Sequence, residues 1–272
     1  MIYRCLPWLV TLQIVSLHLM AQPQSLFVIA GQSNAVGRGT RDSSVIGTPG
    51  TAFEYRSTPD ALVPLADPVG EDELHFQVAK AGSIGPAFAE AYYLRTGRQV
   101  ILLSAARGGA SCHESAEIPG SGTWDTEGQL PLFEGAITKM QRATRKTGRP
   151  VSGIVWLQGE RDANAINDGQ LSAAAYQLAL TNLIARFRSR LGSEVRFYIV
   201  QTGHYTGHST RGFDQVRAAQ AEVARRLPNV HVVYREADQF AARGWMRDAI
   251  HYNQTGLNHI GQSIAREIAD LN

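Results

Sequence analysis

Five short apolar runs rich in β-branched residues punctuate the chain, at residues 25–30, 99–104, 151–157, 195–201 and 230–234. Runs of this length with little polar alternation suit strands buried on both faces of a sheet. Between them the apolar positions recur at helical spacing, predicting helices over residues 86–96, 132–145, 171–191, 213–227 and 254–269. Pro86 stands in the first turn of the first helix and Gly97 follows its end, the usual asymmetry of helix starts and stops. Gly192 and Pro228 close the third and fourth in the same way. In the last, Leu257, Ile260, Ile264 and Ile268 form one apolar stripe.

Alternating strands and helices imply a mainly parallel sheet covered on both faces, an α/β chain. Right-handed crossovers then favour a three-layer α/β/α sandwich on a five-stranded sheet. No repeat, low-complexity segment or interior linker breaks residues 22–272, which are read as a single domain. Two stretches, 37–50 and 111–128, are long for connections and rich in Gly, Ser and Asp. Long ordered loops of this kind are often functional. In open parallel sheets, ligands bind beyond the carboxyl ends of the strands. The residues that follow each apolar run therefore carry the functional question.

The N-terminus differs in kind. Arg4 precedes an apolar stretch over residues 6–20, which ends in Ala21 and the polar Gln22-Pro23-Gln24. That arrangement reads as a signal peptide over residues 1–21, although Leu19 is larger than the cleavage rule prefers. The expected destination is secreted or periplasmic. A 44% hydrophobic and 18% charged composition supports a sizeable core. The net charge of +2, with its basic residues scattered, gives no ground for nucleic-acid binding. Beyond the leader only Cys112 remains, so no internal disulfide is expected. Cys112 as a nucleophile is a weaker candidate, because a reactive thiol needs a placed base or positive neighbour.

The first run ends in Ala30-Gly31-Gln32-Ser33-Asn34. Gly31 permits a tight turn, and Ser33 falls where backbone N–H groups can face an oxyanion; its plainer reading is a helix N-cap. The second run leads into Arg107-Gly108-Gly109-Ala110-Ser111, whose glycines allow a backbone N–H to approach a ligand or simply make a turn. The third leads into Trp156-Leu157-Gln158-Gly159-Glu160-Arg161-Asp162, where Gln158 has an amide to donate and Glu160 a carboxylate to orient it. Just before the last helix stands Asp248-Ala249-Ile250-His251. A spacing of three puts an Asp and a His on one side of a turn, the orienting half of a triad. Each signal is weak alone; four at successive strand ends reinforce one another.

The order Ser, Asp, His without a G-x-S-x-G elbow argues against an α/β-hydrolase. On these four blocks the sequence resembles the SGNH hydrolases, in particular their sialate O-acetylesterase-like branch, which includes acetylxylan esterases. Residues 84–88 and 216–220 add lesser similarities, so that the resemblance spans nearly the whole chain beyond the leader. It implies a flavodoxin-like sandwich and removal of acetyl groups from carbohydrates. Carried over, Ser33 is the nucleophile, His251 the general base and Asp248 its partner. The oxyanion hole would comprise the Ser33 N–H, a glycine N–H of the Gly108-Gly109 pair with Gly109 preferred, and Gln158. Gln32, Asn34 and Glu160 would support them. Arg107 and Arg161 depart from the residues common at their positions, which leaves the substrate preference of relatives in question here.

No cofactor or metal is required by this chemistry. His204 and His208 form a conceivable metal pair, but no third ligand is evident. Tyr205, Trp124 and Trp245 are candidate platforms for sugar rings, against the commoner use of aromatics in cores. The expected partner is an acetylated carbohydrate. Two other readings stay open: a lipase- or thioesterase-like hydrolase of other acyl esters, and a glycan-binding protein of the same fold without catalysis.

Overall fold

The computed structural model describes residues 23–271. The proposed signal peptide lies outside the described residues. Seven strands form one sheet: β1 (Gln24–Gly31), β2 (Ala52–Arg56), β3 (Ala61–Pro64), β4 (Gln99–Ala106), β5 (Val151–Leu157), β6 (Phe197–Val200) and β7 (Val230–Tyr234). Their order is β3-β2-β4-β1-β5-β6-β7. The neighbours β4-β1-β5-β6-β7 are all parallel, as is β2 on β4, and β3 alone runs antiparallel. The five expected strands thus stand in the flavodoxin-like order. The expectation of five strands is corrected to seven by a β2–β3 hairpin added at one edge.

The alternation within the strands explains the layers. In β1, Leu26, Val28 and Ala30 enter one core while Phe27 and Ile29 enter the other. Successive side chains of a strand point to opposite faces, so a fully apolar strand feeds both. On the first face pack α3 (Phe133–Thr147), α5 (Ala173–Leu191) and α6 (Arg211–Arg226), through Met140, Phe187 and Val216 among others. On the second pack α2 (Gly85–Thr96) and α7 (Gln254–Leu271), through Phe88, Tyr92, Ile260 and Ile264. The predicted stripe of α7 is fully buried. Gly97 and Gly148 close α2 and α3 in the left-handed region, at φ 69° and 65°. The result is a three-layer α/β/α sandwich.

Two short helices escaped the periodicity. The segment α1 (Ser33–Val36) follows β1, and α4 (Glu160–Asn167) follows β5. Both begin at the carboxyl edge of central strands, where the functional blocks converge.

Candidate active site

The site starts from the end of β1. Gly31 adopts φ 142°, and a Cβ there would sit 1.9 Å from the carbonyl oxygen of Leu157 on β5. Only glycine fits that approach, and the chain turns immediately into α1. Gln32 caps the turn: its N–H donates to Leu157 O at 3.0 Å, while its Oε1 accepts from the N–H groups of Gly159 and Arg161. Gln32 therefore fastens the end of β1 to the loop after β5. Ser33, the first residue of α1, is largely buried at 6% exposure, yet its Oγ reaches His251.

Asp248, His251 and Ser33 form one continuous line. His251 Nδ1 lies 2.8 Å from Asp248 Oδ2, and His251 Nε2 lies 3.0 Å from Ser33 Oγ. A proton held on Nδ1 toward Asp248 leaves Nε2 bare to accept the Ser33 hydroxyl proton. Asp248 is itself fixed, because its Oδ1 accepts from the N–H groups of Ile250 at 3.0 Å and His251 at 2.8 Å. Partial burial works against the Asp248 charge, but these backbone bonds and the His251 ring outweigh it and hold its pKa below the ordinary value.

Asn34 ties the helix that carries Ser33 to the loop that carries His251. Its Nδ2 donates to Glu160 Oε1 at 2.7 Å and to Ile250 O at 3.2 Å, and its Oδ1 accepts from Tyr252 N–H at 3.1 Å. Glu160 is buried beneath this network, and burial pushes its pKa up. Gln32, Asn34 and Glu160 thus bond across the segments that hold Ser33 and His251.

Two expectations for the oxyanion hole are corrected. Gln158 is wholly buried, and its Nε2 donates to Ala110 O at 3.2 Å and to Asp162 Oδ2 at 2.5 Å. Both amide hydrogens are spent there, so none is left for an oxyanion. Gln158 instead steadies Asp162, whose carboxylate also accepts from the N–H groups of Cys112 and His113. The preference for Gly109 is reversed as well. Gly109 turns at φ 77° toward Ser121, whereas a Cβ on Gly108 would lie 3.9 Å from Ser33 Cβ. Gly108 is the glycine beside the serine, and its N–H currently donates to Gln77 Oε1 at 2.9 Å.

Sequence reasoning missed Gln77, Asp162 and Arg38. Gln77 sits in an irregular segment with no motif to mark it. Asp162 was visible within its block but silent about its role. Arg38, flanked by Gly37 and Gly39, brings its guanidinium to within 3.0 Å of the same Cβ position on Gly108.

The remaining candidates are placed elsewhere. Cys112 is buried, and burial together with Asp162 raises its thiol pKa well above the ordinary value, which leaves it unreactive. His204 pairs with Asp214 at 2.8 Å and His208 stacks on Tyr205 with centroids 3.7 Å apart. Trp124 is fully buried against Trp156 and Phe187, a core ring and not a sugar platform. Trp245 packs on Phe240 and His259.

Comparison with known proteins bears on the fold and the family. Among solved structures, a protein from Arabidopsis thaliana superposes with a TM-score of 0.69 at 23% identity, covering 92% of this chain and 99% of its own. NanS gives 0.67 at 14%, covering 92% and 98%. A carbohydrate acetylesterase from Xanthomonas citri gives 0.59 at 18%, covering 91% of this chain and 57% of that one. At such identities these likenesses speak for the fold. A search of curated protein sequences finds no match. The family model described as "Carbohydrate esterase, sialic acid-specific acetylesterase" matches residues 23–270. That match takes in every strand described above and all but the last residue of α7, and the chain belongs to this carbohydrate esterase family.

Proposed function

We propose that this protein removes O-acetyl groups from carbohydrates through an acetyl-serine intermediate on Ser33. The observation that carries the reading is the unbroken line from Asp248 through His251 to Ser33 Oγ, with 2.8 Å and 3.0 Å at its two joints. His251 takes the Ser33 proton as Oγ attacks the acetyl carbonyl. The negative oxygen is held by backbone N–H groups of Ser33 and Gly108, the latter exchanging its Gln77 partner for the substrate. Collapse expels the sugar hydroxyl, which takes the proton from His251. Water then repeats the sequence on the acetyl-enzyme. On this reading the protein is exported by its N-terminal leader and meets an acetylated polysaccharide or a sialic-acid-type glycan outside the cytoplasm.

The test is acetate release from a panel of acetylated xylan, other acetylated polysaccharides and O-acetylated sialic acid, alongside nitrophenyl esters of increasing chain length. A steep preference for acetyl, with release from at least one glycan, is the expected result. Faster turnover of long acyl chains, with no release from any glycan, would overturn the reading in favour of a lipase- or thioesterase-like hydrolase. Saturable glycan binding without hydrolysis of any ester would make it a binding protein.

A further inference from the structure

Four arginines stand in the segments that build the site, and three of them donate to backbone carbonyls. Arg107 donates to His75 O and Gly120 O, both at 2.6 Å, and Arg161 donates to Ala116 O at 2.7 Å. Arg247 donates to the carbonyl oxygen of Arg38. Arg38 is different. Among the described residues its guanidinium meets no carboxylate and donates to no acceptor, and its Nε is buried without a partner. Burying part of a guanidinium with nothing to accept from it is costly, so a group of this kind needs an explanation.

Nor is its position accidental. Gly37 leaves α1 at φ 104°, where a Cβ would lie 2.6 Å from Gly82 O; at Gly39 a Cβ would lie 1.9 Å from Gln254 Oε1. Backbone bonds from Gly39 to Gly82 and from Lys80 to Gly37 thread the segment between its neighbours, and Arg247 clamps the Arg38 carbonyl from the catalytic loop. The turn is rigid and presents the side chain toward Gly108. Ser33 Cβ at 3.9 Å and Arg38 Nη2 at 3.0 Å flank the same Cβ position of that glycine. Ser33 and Arg38 thus meet beside Gly108, and the Gln158 amide, expected at the oxyanion, is spent elsewhere.

We propose that Arg38 is a catalytic residue, supplying a charged donor to the oxyanion alongside the Ser33 and Gly108 N–H groups. This rests on the esterase reading given above. As the bond from Ser33 Oγ to the carbonyl carbon forms, the proton passes to His251 Nε2 and the π pair moves onto the carbonyl oxygen. That oxygen, bearing a full negative charge, is the acceptor Arg38 lacks in the free protein. When the pair returns, the bond to the sugar oxygen breaks and that oxygen takes the proton from His251. A guanidinium held in place before reaction gains most as charge develops, so its effect falls on the chemical step.

The experiment compares the wild type with Arg38→Ala, Arg38→Lys and Ser33→Ala on p-nitrophenyl acetate, on a neutral acetylated xylo-oligosaccharide and on an acetylated sugar bearing a carboxylate. Circular dichroism on each variant confirms folding. The expected result is a fall in kcat of roughly 10²–10³ for Arg38→Ala on all three substrates, with KM little changed. Arg38→Lys should retain an intermediate rate, and added guanidinium ion at non-denaturing concentration should restore part of the Arg38→Ala rate but none of the Ser33→Ala rate. Unchanged kcat would overturn the proposal, as would a loss without guanidinium rescue. A KM increase confined to the carboxylate-bearing sugar would make Arg38 a substrate anchor instead. If the wild type and Ser33→Ala hydrolyse all three substrates equally, it is the esterase reading itself that fails.

Discussion

The side chain of Asn34 brackets His251, bonding Ile250 O on one side of the histidine and Tyr252 N–H on the other. Because Asn34 follows Ser33 directly, Ser33 and His251 are fixed relative to each other by one residue. The same side chain reaches Glu160 on α4, so that two strand-end segments and the loop before α7 meet at a single amide. Placement of this kind matters to rate, since a misplacement of about 1 Å at a reacting group costs on the order of 10²-fold.

Asn34→Ala therefore should lower kcat by about 10²-fold while the protein still folds, with KM changing much less. Steady-state kinetics on p-nitrophenyl acetate check this. An unchanged kcat would mean that the loop holds His251 without help from Asn34.

For Gln158 the expected effect is on stability. Gln158→Leu removes one of three donors to buried Asp162, beside the Cys112 and His113 N–H groups, and should cost about 1–3 kcal/mol, read as a lower midpoint in urea. A loss of 10²–10³ in kcat at unchanged stability would restore Gln158 to the oxyanion hole.

Glu160 supplies a pH dependence. Burial raises its folded-state pKa above that of the unfolded chain. Over the interval between the two values the folded state binds more protons than the unfolded one, so stability falls as pH rises through it. Asp162, also raised by burial, adds in the same direction. Glu160→Gln cannot ionise and its amide oxygen can still accept from Asn34. It should therefore lose stability less steeply than the wild type as pH rises from about 4.3, the ordinary Glu value, toward neutrality. Thermal unfolding of both proteins across that range measures the difference; parallel curves would contradict it.

Much of this was legible in the sequence because the chain states it twice. Apolar runs without alternation marked five of the parallel strands, the end of the first pointed to Ser33, and the segment before the last helix pointed to Asp248 and His251. The β2–β3 hairpin was hidden because β2 alternates Phe53 and Tyr55 with Glu54 and Arg56, and so lacks the unbroken apolar run that marks the other five parallel strands. The oxyanion corrections have a different origin. Whether Gln158 faces the serine or Asp162 depends on side-chain direction, and whether Gly108 or Gly109 approaches depends on which takes the left-handed turn. Neither is written in residue type or spacing. Arg38 was lost for the opposite reason: an arginine between glycines looks like a solvated loop until Gly108 is placed beside it.

The central claim is that Ser33 carries the acetyl group. Acetate released from an acetylated glycan by the wild type and by folded Ser33→Ala tests it most directly. The account expects release by the wild type and a rate for Ser33→Ala lower by several orders of magnitude. Equal release by the two proteins would contradict it.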